Sequence, residues 1–163
     1  MPAAIETFNE IMDALDPPML IVTTTVGEQR AGCLVGFAAQ CSIDPPRFLV
    51  GLSVRNHTLR VARRADALAV HVLPAGAHAL AELFGGETGD TTDKFARCAW
   101  RTGPAGLPIL EDCGSWFAGS VLVRHELGDH VGYLLEPFAA AGDGRRDFLK
   151  YSQAKRIEPG HDA

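Results

Sequence analysis

The run Ala31-Gly32-Cys33-Leu34-Val35-Gly36-Phe37-Ala38-Ala39-Gln40-Cys41-Ser42-Ile43-Asp44-Pro45-Pro46, followed after Arg47 by Phe48-Leu49-Val50-Gly51-Leu52-Ser53-Val54-Arg55-Asn56-His57-Thr58, reads as two extended segments on either side of a proline break. Small side chains fill the first segment. Asp44-Pro45-Pro46 ends it, because proline has no N–H to give to a strand ladder. The second segment, Phe48 to Val54, is an apolar strand that gives way to a short helical pattern from Leu59 to Ala65. Upstream, Met19 to Thr25 is rich in β-branched residues and Gly27-Glu28 supplies a turn. Met19 to Ala38 therefore predicts a hairpin whose second strand runs into the small-residue segment.

Further out, Ile5, Phe8, Ile11, Met12 and Leu15 recur three or four residues apart. That spacing makes one apolar stripe of a helix, stopped before Pro17-Pro18 and expected to cover the outside of the fold. Downstream, Ala67 to Leu73 predicts a buried strand, Ala77 to Phe84 a helix ended by Gly85-Gly86, and Gly85 to Thr92 a loop. Trp116 to His125 and His130 to Phe138 are two more apolar runs, and Glu126-Leu127-Gly128-Asp129 between them suits a tight reversal. The tail from Ala139 turns Gly-rich and then charged, with Phe148, Leu149 and Tyr151 as anchors. Many short strands with few short helices predict a mainly β fold, an antiparallel β-barrel with short α-helices, rather than alternating βαβ units. No repeat or linker divides the chain, so a single domain is expected over residues 1–163, with its core at about 16–140.

Composition agrees. With 163 residues, 47% of them hydrophobic and 21% charged, the chain can bury a proper core, hiding roughly two-thirds of its unfolded surface. A net charge of -5 provides no diffuse positive field, which argues against nucleic acid and anionic membranes as partners. No stretch approaches the ~20 apolar residues of a membrane span, and Met1 to Thr7 lacks a basic segment leading into an apolar run, so a cytoplasmic protein is expected. Cys33, Cys41, Cys98 and Cys113 include no CxxC pair and are expected to be reduced and packed in the core. His57, His71, His78, His125 and His161 show no HExxH spacing or cysteine clustering, so no metal site is expected. His71 is expected to pack within its strand.

The ordered set of landmarks resembles the flavin reductase-like family, which has the FMN-binding split barrel. A glycine-started strand of small residues runs into Ser42-Ile43-Asp44-Pro45-Pro46, then an apolar strand ends at Ser53, with Asn56-His57-Thr58 before a helix. Asp93-Lys94-Phe95 with Trp100, Gly106-Leu107-Pro108-Ile109-Leu110 and Gly128-Asp129-His130 follow in the family's order, from about Leu20 to Glu136. The resemblance implies a Greek-key antiparallel split barrel. It also implies an NAD(P)H-dependent flavin reductase that passes hydride from NADH or NADPH to FMN or FAD, works as a homodimer and supplies reduced flavin to a partner monooxygenase. Two other activities stay open: an oxidoreductase in the same fold, using flavin or deazaflavin on a separate substrate, and a non-catalytic flavin-binding protein.

A flavin ring is a flat, largely apolar plate with hydrogen-bonding edges, so its pocket needs small side chains along a strand. Gly36, Phe37, Ala38 and Ala39 lie where the family places the ring, and Gln40, Cys41 and Ser42 lead onto its pyrimidine edge; the same small residues would also let strands pack closely. Ser53, Arg55, Asn56 and Thr58 stand where a strand meets a helix and a phosphate finds donors, although Asn56 or Thr58 could equally serve as a helix cap. By resemblance, Lys94 and Phe95 close over the flavin, and His130 positions the nicotinamide at its face. Leu34, Gly36 and Phe37 replace polar residues of many relatives, and Gly132, Tyr133 and Leu135 alter the pattern after His130, which leaves FMN or FAD, and NADH or NADPH, open.

Overall fold

The computed structural model describes residues 1–160, so His161 lies outside the described residues. In chain order the elements are α1 (Pro2–Leu15), β1 (Leu20–Val26), β2 (Gln29–Val35), β3 (Ala38–Ser42), β4 (Arg47–Ser53), α2 (His57–Ala62) and β5 (Ala67–Val72). There follow α3 (His78–Gly86), β6 (Trp100–Thr102), β7 (Pro108–Leu110), β8 (Ser115–Glu126), β9 (His130–Ala141) and α4 (Tyr151–Ala154).

The first hairpin, β1 with β2, turns at Gly27, whose φ of 58° is the left-handed conformation that favours glycine. β2 stops at Val35, before the expected Ala38. After Gly36 and Phe37 the chain resumes as β3, which abandons β1 and pairs with β4. The main sheet is antiparallel, in the order β2-β1-β5-β8-β9-β4-β3. Its two edge strands are consecutive in the chain with only Gly36 and Phe37 between them, so the sheet must curl until those edges meet. Gly51 N donates to Phe37 O at 2.8 Å and ties the seam to β4. This seam is the split of the barrel. β4 pairs with β9 and not with β5, because α2 carries the chain over one end and the β8–β9 hairpin fills the gap, a Greek-key connection.

Hydrophobic residues of β1 serve two cores in alternation. Leu20 and Val22 point into the barrel with Val50, Leu52 and Leu135, while Ile21, and Met19 just before the strand, belong to the second cluster with Leu80 and Phe84 of α3. A strand buried on both faces shows no alternation of apolar and polar residues, and β1 keeps β-branched residues on both faces, with Thr23 and Thr24 buried beside its aliphatic residues. Each such fully buried Leu, Ile or Val contributes about 1.5–3 kcal/mol. Where polar groups enter the core they are bonded: Thr23 Oγ1 donates to Pro108 O at 2.6 Å and Thr24 Oγ1 to Ala67 O at 2.9 Å.

Two expectations need correction. α1 forms where its periodicity predicts, but none of its residues is buried and the stripe Ile5, Phe8, Ile11 and Leu15 is more than half exposed. The outward face of β1 is covered instead by α3 and by the tail around Leu149, leaving α1 nothing on this chain to cover. Of the cysteines, Cys33 and Cys113 are buried and burial raises their thiols to about 11 and about 12, but Cys98 is only partly buried and Cys41 stands exposed on the edge strand β3. All four are free thiols.

Candidate active site

The register of β4 against β9 sets Ser53 opposite His130 and Gly51 opposite Gly132. Beside this pair, on the barrel rim, lies a cavity of about 340 Å³. Met19, Leu34, Val35 and Phe84 give it apolar walls; Ser53, Asn56, Thr88 and His130 supply polar groups; Gly36 and Phe37 of the seam border it. A flavin suits these residues. The walls match an apolar plate, and a Cβ added at Gly36 would meet nothing nearer than the Met19 thioether at 3.8 and 3.9 Å, so the chain leaves room beside its own backbone.

His130 is held by its neighbour in sequence. Asp129 Oδ1 accepts from His130 Nδ1 at 2.7 Å, and that bond, first among the causes, keeps the Asp129 carboxyl below its ordinary range. Nε2 is then the ring nitrogen left for a ligand. Phe37 meets the imidazole edge-on, with ring centroids 4.8 Å apart, and is itself 67% exposed. Phe37, Gly51, Asp129 and His130 also line a second cavity, together with Ala38 and Ala39. Phe37 and His130 thus border both cavities.

The junction of β4 and α2 is bonded within itself. Asn56 Oδ1 accepts from Thr58 N at 2.9 Å, so Asn56 is the helix cap, and Ser53 Oγ accepts from Arg55 N at 3.3 Å. Thr58 is buried beneath this junction, and Arg55 is exposed and does not border the rim cavity.

Of the residues singled out in the sequence, the structure gathers Gly36, Phe37, Ser53, Asn56 and His130 around one cavity. It sets others elsewhere. Gln40, Cys41 and Ser42 line a separate shallow depression with Ile43 and Asp44. Phe95 packs edge-on between Phe84 and Trp100, with centroids 5.7 Å from each. Lys94 is buried, its Nζ donating to Gly32 O and Phe84 O, each at 3.0 Å, and burial lowers its pKa. Both residues border a different cavity, on the side of β2 where His57 bonds Asp90 at 3.0 Å. Their task in this conformation is to fasten α3 and the following loop to the barrel.

Sequence reasoning missed the tail. Tyr151, Lys155 and Ile157 form a wall of the rim cavity, yet the only signal was Tyr151 as an anchor. Asp129, in sequence only a landmark beside Gly128, is the partner of His130 in the fold.

An antiparallel sheet curled until its edges meet at one seam, with an apolar slot beside a strand-borne histidine, defines a small split-barrel domain. The flavin reductase like domain model matches residues 12–156, and the chain belongs to that family. It is 29% identical over 155 residues to an FMN reductase (NADH), RutF, of Methylorubrum extorquens, a match covering 95% of this chain and 75% of that protein. Among solved structures, the NADH:FAD oxidoreductase SgcE6 of Streptomyces globisporus superposes with a TM-score of 0.84 at 20% identity, over 94% of this chain and 92% of that one. Nitrilotriacetate monooxygenase component B of Mycobacterium thermoresistibile gives 0.78 at 21% identity, over 90% and 80%. These two establish the shared fold.

Proposed function

We propose that this chain is an NAD(P)H-dependent flavin reductase, with NADH and FMN the pair to test first and with NADPH and FAD as the alternatives. The observation that carries this reading is the single slot that joins the seam at Gly36 and Phe37 to Ser53, Asn56 and His130. Kinship with a relative named an FMN reductase (NADH) supports it. When bound, a flavin supplies the acceptor for a hydride from nicotinamide.

The residues then divide the work. Met19, Leu34, Val35 and Phe84 hold the ring in an apolar slot that keeps water away. Gly36 lets the ring approach the backbone, and Ser53 and Asn56 offer a hydroxyl and an amide to its polar groups. His130, oriented by Asp129, positions the nicotinamide, which is the requirement that matters when transfer depends on two rings stacked at near-contact distance. Arg55 stands close enough to Asp129 to lower its pKa and contributes positive charge to the rim. Thr58, Lys94 and Phe95 support the frame, and Ala38 and Ala39 leave space on the donor side.

The same reading covers assembly and setting. The unburied stripe of α1 supports a homodimer, since a helix of this length gains most of its stability from packing an apolar face; light scattering tests it, with a monomer as the refuting result. The described residues contain no helix long and apolar enough to cross a membrane, and four free thiols suit the reducing cytoplasm. The fold shared with a monooxygenase component makes a partner monooxygenase the first recipient of reduced flavin to try.

Anaerobic spectra of the purified protein with FMN, before and after NADH, decide the reading. Bleaching of the flavin absorbance, with NADH oxidation that rises with added free flavin, is the expected result. A flavin that stays oxidised would reduce the protein to a carrier, and bleaching without dependence on free flavin would make it an oxidoreductase with a resident cofactor.

A further inference from the structure

α1 ends on a residue that its backbone does not favour. The C-cap, Asp16, has φ 47° and ψ 60°, the left-handed conformation on which helices commonly end with glycine. Asp tolerates that conformation better than most residues, but only glycine adopts it without steric cost. A side chain kept where none would be easier points to a use for that side chain. Asp16 has one. Its Oδ1 accepts from Ser152 N at 2.7 Å and its Oδ2 from the Ser152 hydroxyl at 2.8 Å, across 136 residues of sequence. Ser152 lies in the first turn of α4, whose N–H groups find no partner inside the helix, and Asp16 supplies one. The Ser152 N–H first, and its hydroxyl next, hold the Asp16 carboxyl below its ordinary range, as bonds made to the charged form do.

What this clasp holds is a wall of the rim slot. Tyr151, Ala154, Ile157 and Pro159, all from the tail, line the slot together with Met19 and Gly36 of the barrel. Up to Tyr151 the tail is tied in by its backbone: Met19 N donates to Leu149 O at 2.8 Å, Leu149 N to Leu73 O at 2.9 Å and Tyr151 N to Pro17 O at 2.8 Å. Beyond that point the ties change. Among the described residues, Ser152 to Gly160 makes no hydrogen bond or ion pair to any residue outside the tail except the two to Asp16. The rest of its hold is apolar, through Ala154 and Ile157 in the cluster that includes Leu80 and Phe84 of α3.

We propose that Asp16 is a positioning residue for this slot: through Ser152 it keeps α4 and the segment up to Pro159 in place as a wall, and so sets how tightly flavin is held. The inference rests on the flavin reading above. A slot whose wall is in place only part of the time binds with an affinity reduced by that fraction, whereas saturating ligand restores the ordered form. Loss of the clasp therefore weakens binding and spares turnover at saturating flavin. Tyr151, Ala154, Ile157 and Pro159 are uncharged at neutral pH, so the loss falls alike on flavins with and without a phosphate.

The test compares the full chain as wild type, Asp16→Ala, Ser152→Ala, the double variant and Asp16→Asn, which keeps an acceptor oxygen. Flavin fluorescence gives the Kd for FMN and for riboflavin, and limited trypsin digestion gives the rate of cleavage after Lys155 and Arg156. Asp16→Ala is expected to raise both Kd values about fivefold and to speed cleavage by about the same factor, with kcat at saturating FMN within about twofold of wild type. Ser152→Ala, which keeps its N–H, should lose less, and the double variant no more than Asp16→Ala, because both residues act through one contact. Asp16→Asn should restore most of the loss. Weaker binding without faster cleavage would mean that Asp16 acts elsewhere than on the tail, and a loss confined to FMN would mean that it acts on the phosphate; either overturns the inference. A wild type that binds neither flavin would bring down the flavin reading and this inference with it. A wild type that binds FMN while Asp16→Ala binds it equally, whatever the cleavage rate, would sink the inference alone.

Discussion

His71 and His130 sit in two regions of one barrel and are treated in opposite ways. Around His71, where β5 pairs with β1, the ring is fully buried and both nitrogens are committed: Nδ1–H donates to Ile21 O at 3.0 Å, and Nε2 accepts from Leu110 N at 3.1 Å. Burial drives its pKa down to about 4, so the neutral ring is the form the fold requires. Around His130, at the β4–β9 rim, one nitrogen meets an exposed carboxylate and the other has no protein partner among the described residues. A histidine whose two nitrogens are both spent on the backbone can only brace a core. One with a nitrogen to spare beside a cavity can meet a ligand.

The sharpest way to break this contrast is to remove each ring. His71→Phe leaves the Leu110 N–H and the Ile21 carbonyl without their partner, at about 1–3 kcal/mol each, so a loss of about 3 kcal/mol is expected. Calorimetry should show Tm lower by roughly 6–12 °C, with FMN affinity of the folded protein unchanged; a Tm within error of wild type would refute the bracing role.

The same ring predicts a pH dependence of stability. The folded pKa of about 4 lies below the unfolded value near 6.5, so within that window the unfolded chain binds the extra proton. Stability is therefore complete above pH 6.5 and falls as the pH drops toward 4, by up to ~3 kcal/mol. Urea titrations across that range should show the decline in wild type and a flatter profile in His71→Phe. The carboxyls of Asp16, Asp90, Asp129 and Asp143, all held below their ordinary range, lose their contribution only at more acidic pH and do not blur the window.

His130→Ala should do the reverse of His71→Phe. The expected result is a KM for the nicotinamide donor raised about tenfold with stability within about 0.5 kcal/mol of wild type. An unchanged KM would remove His130 from the donor site. Asp129→Asn tests orientation alone and should have the smallest effect, a rise of about threefold in the donor KM with kcat and Tm unchanged. A fall in kcat without change in KM would mean that the carboxylate acts on the reaction and not on the pose of the ring.

Much of this was legible in the residues. β-branched runs, Gly27 and the Asp44-Pro45-Pro46 break marked the strands and their ends, and Gly128 marked the β8–β9 reversal. His71 was readable as a packed strand residue because it lies inside an apolar run. Less legible were features that depend on distant chain segments. Lys94 and Phe95 looked like a flap over the ligand, but the carbonyls of Gly32 and Phe84 and the ring of Trp100 claim them. α1 announced its helix but not its lack of a seat on this chain, and the tail announced neither its order nor its place at the slot.

What the sequence determined by itself was local and periodic: which segments are extended, where they turn, and the family to which their order of landmarks points. It could do so because strand and turn preferences act between near neighbours. Only the tertiary structure decided that the edges β2 and β3 close on a two-residue seam, that Ser53 faces His130, and that the tail from Tyr151 joins them from the far end of the chain. Those facts come from register and closure, where residues distant along the chain are brought within bonding reach by the curl of one sheet.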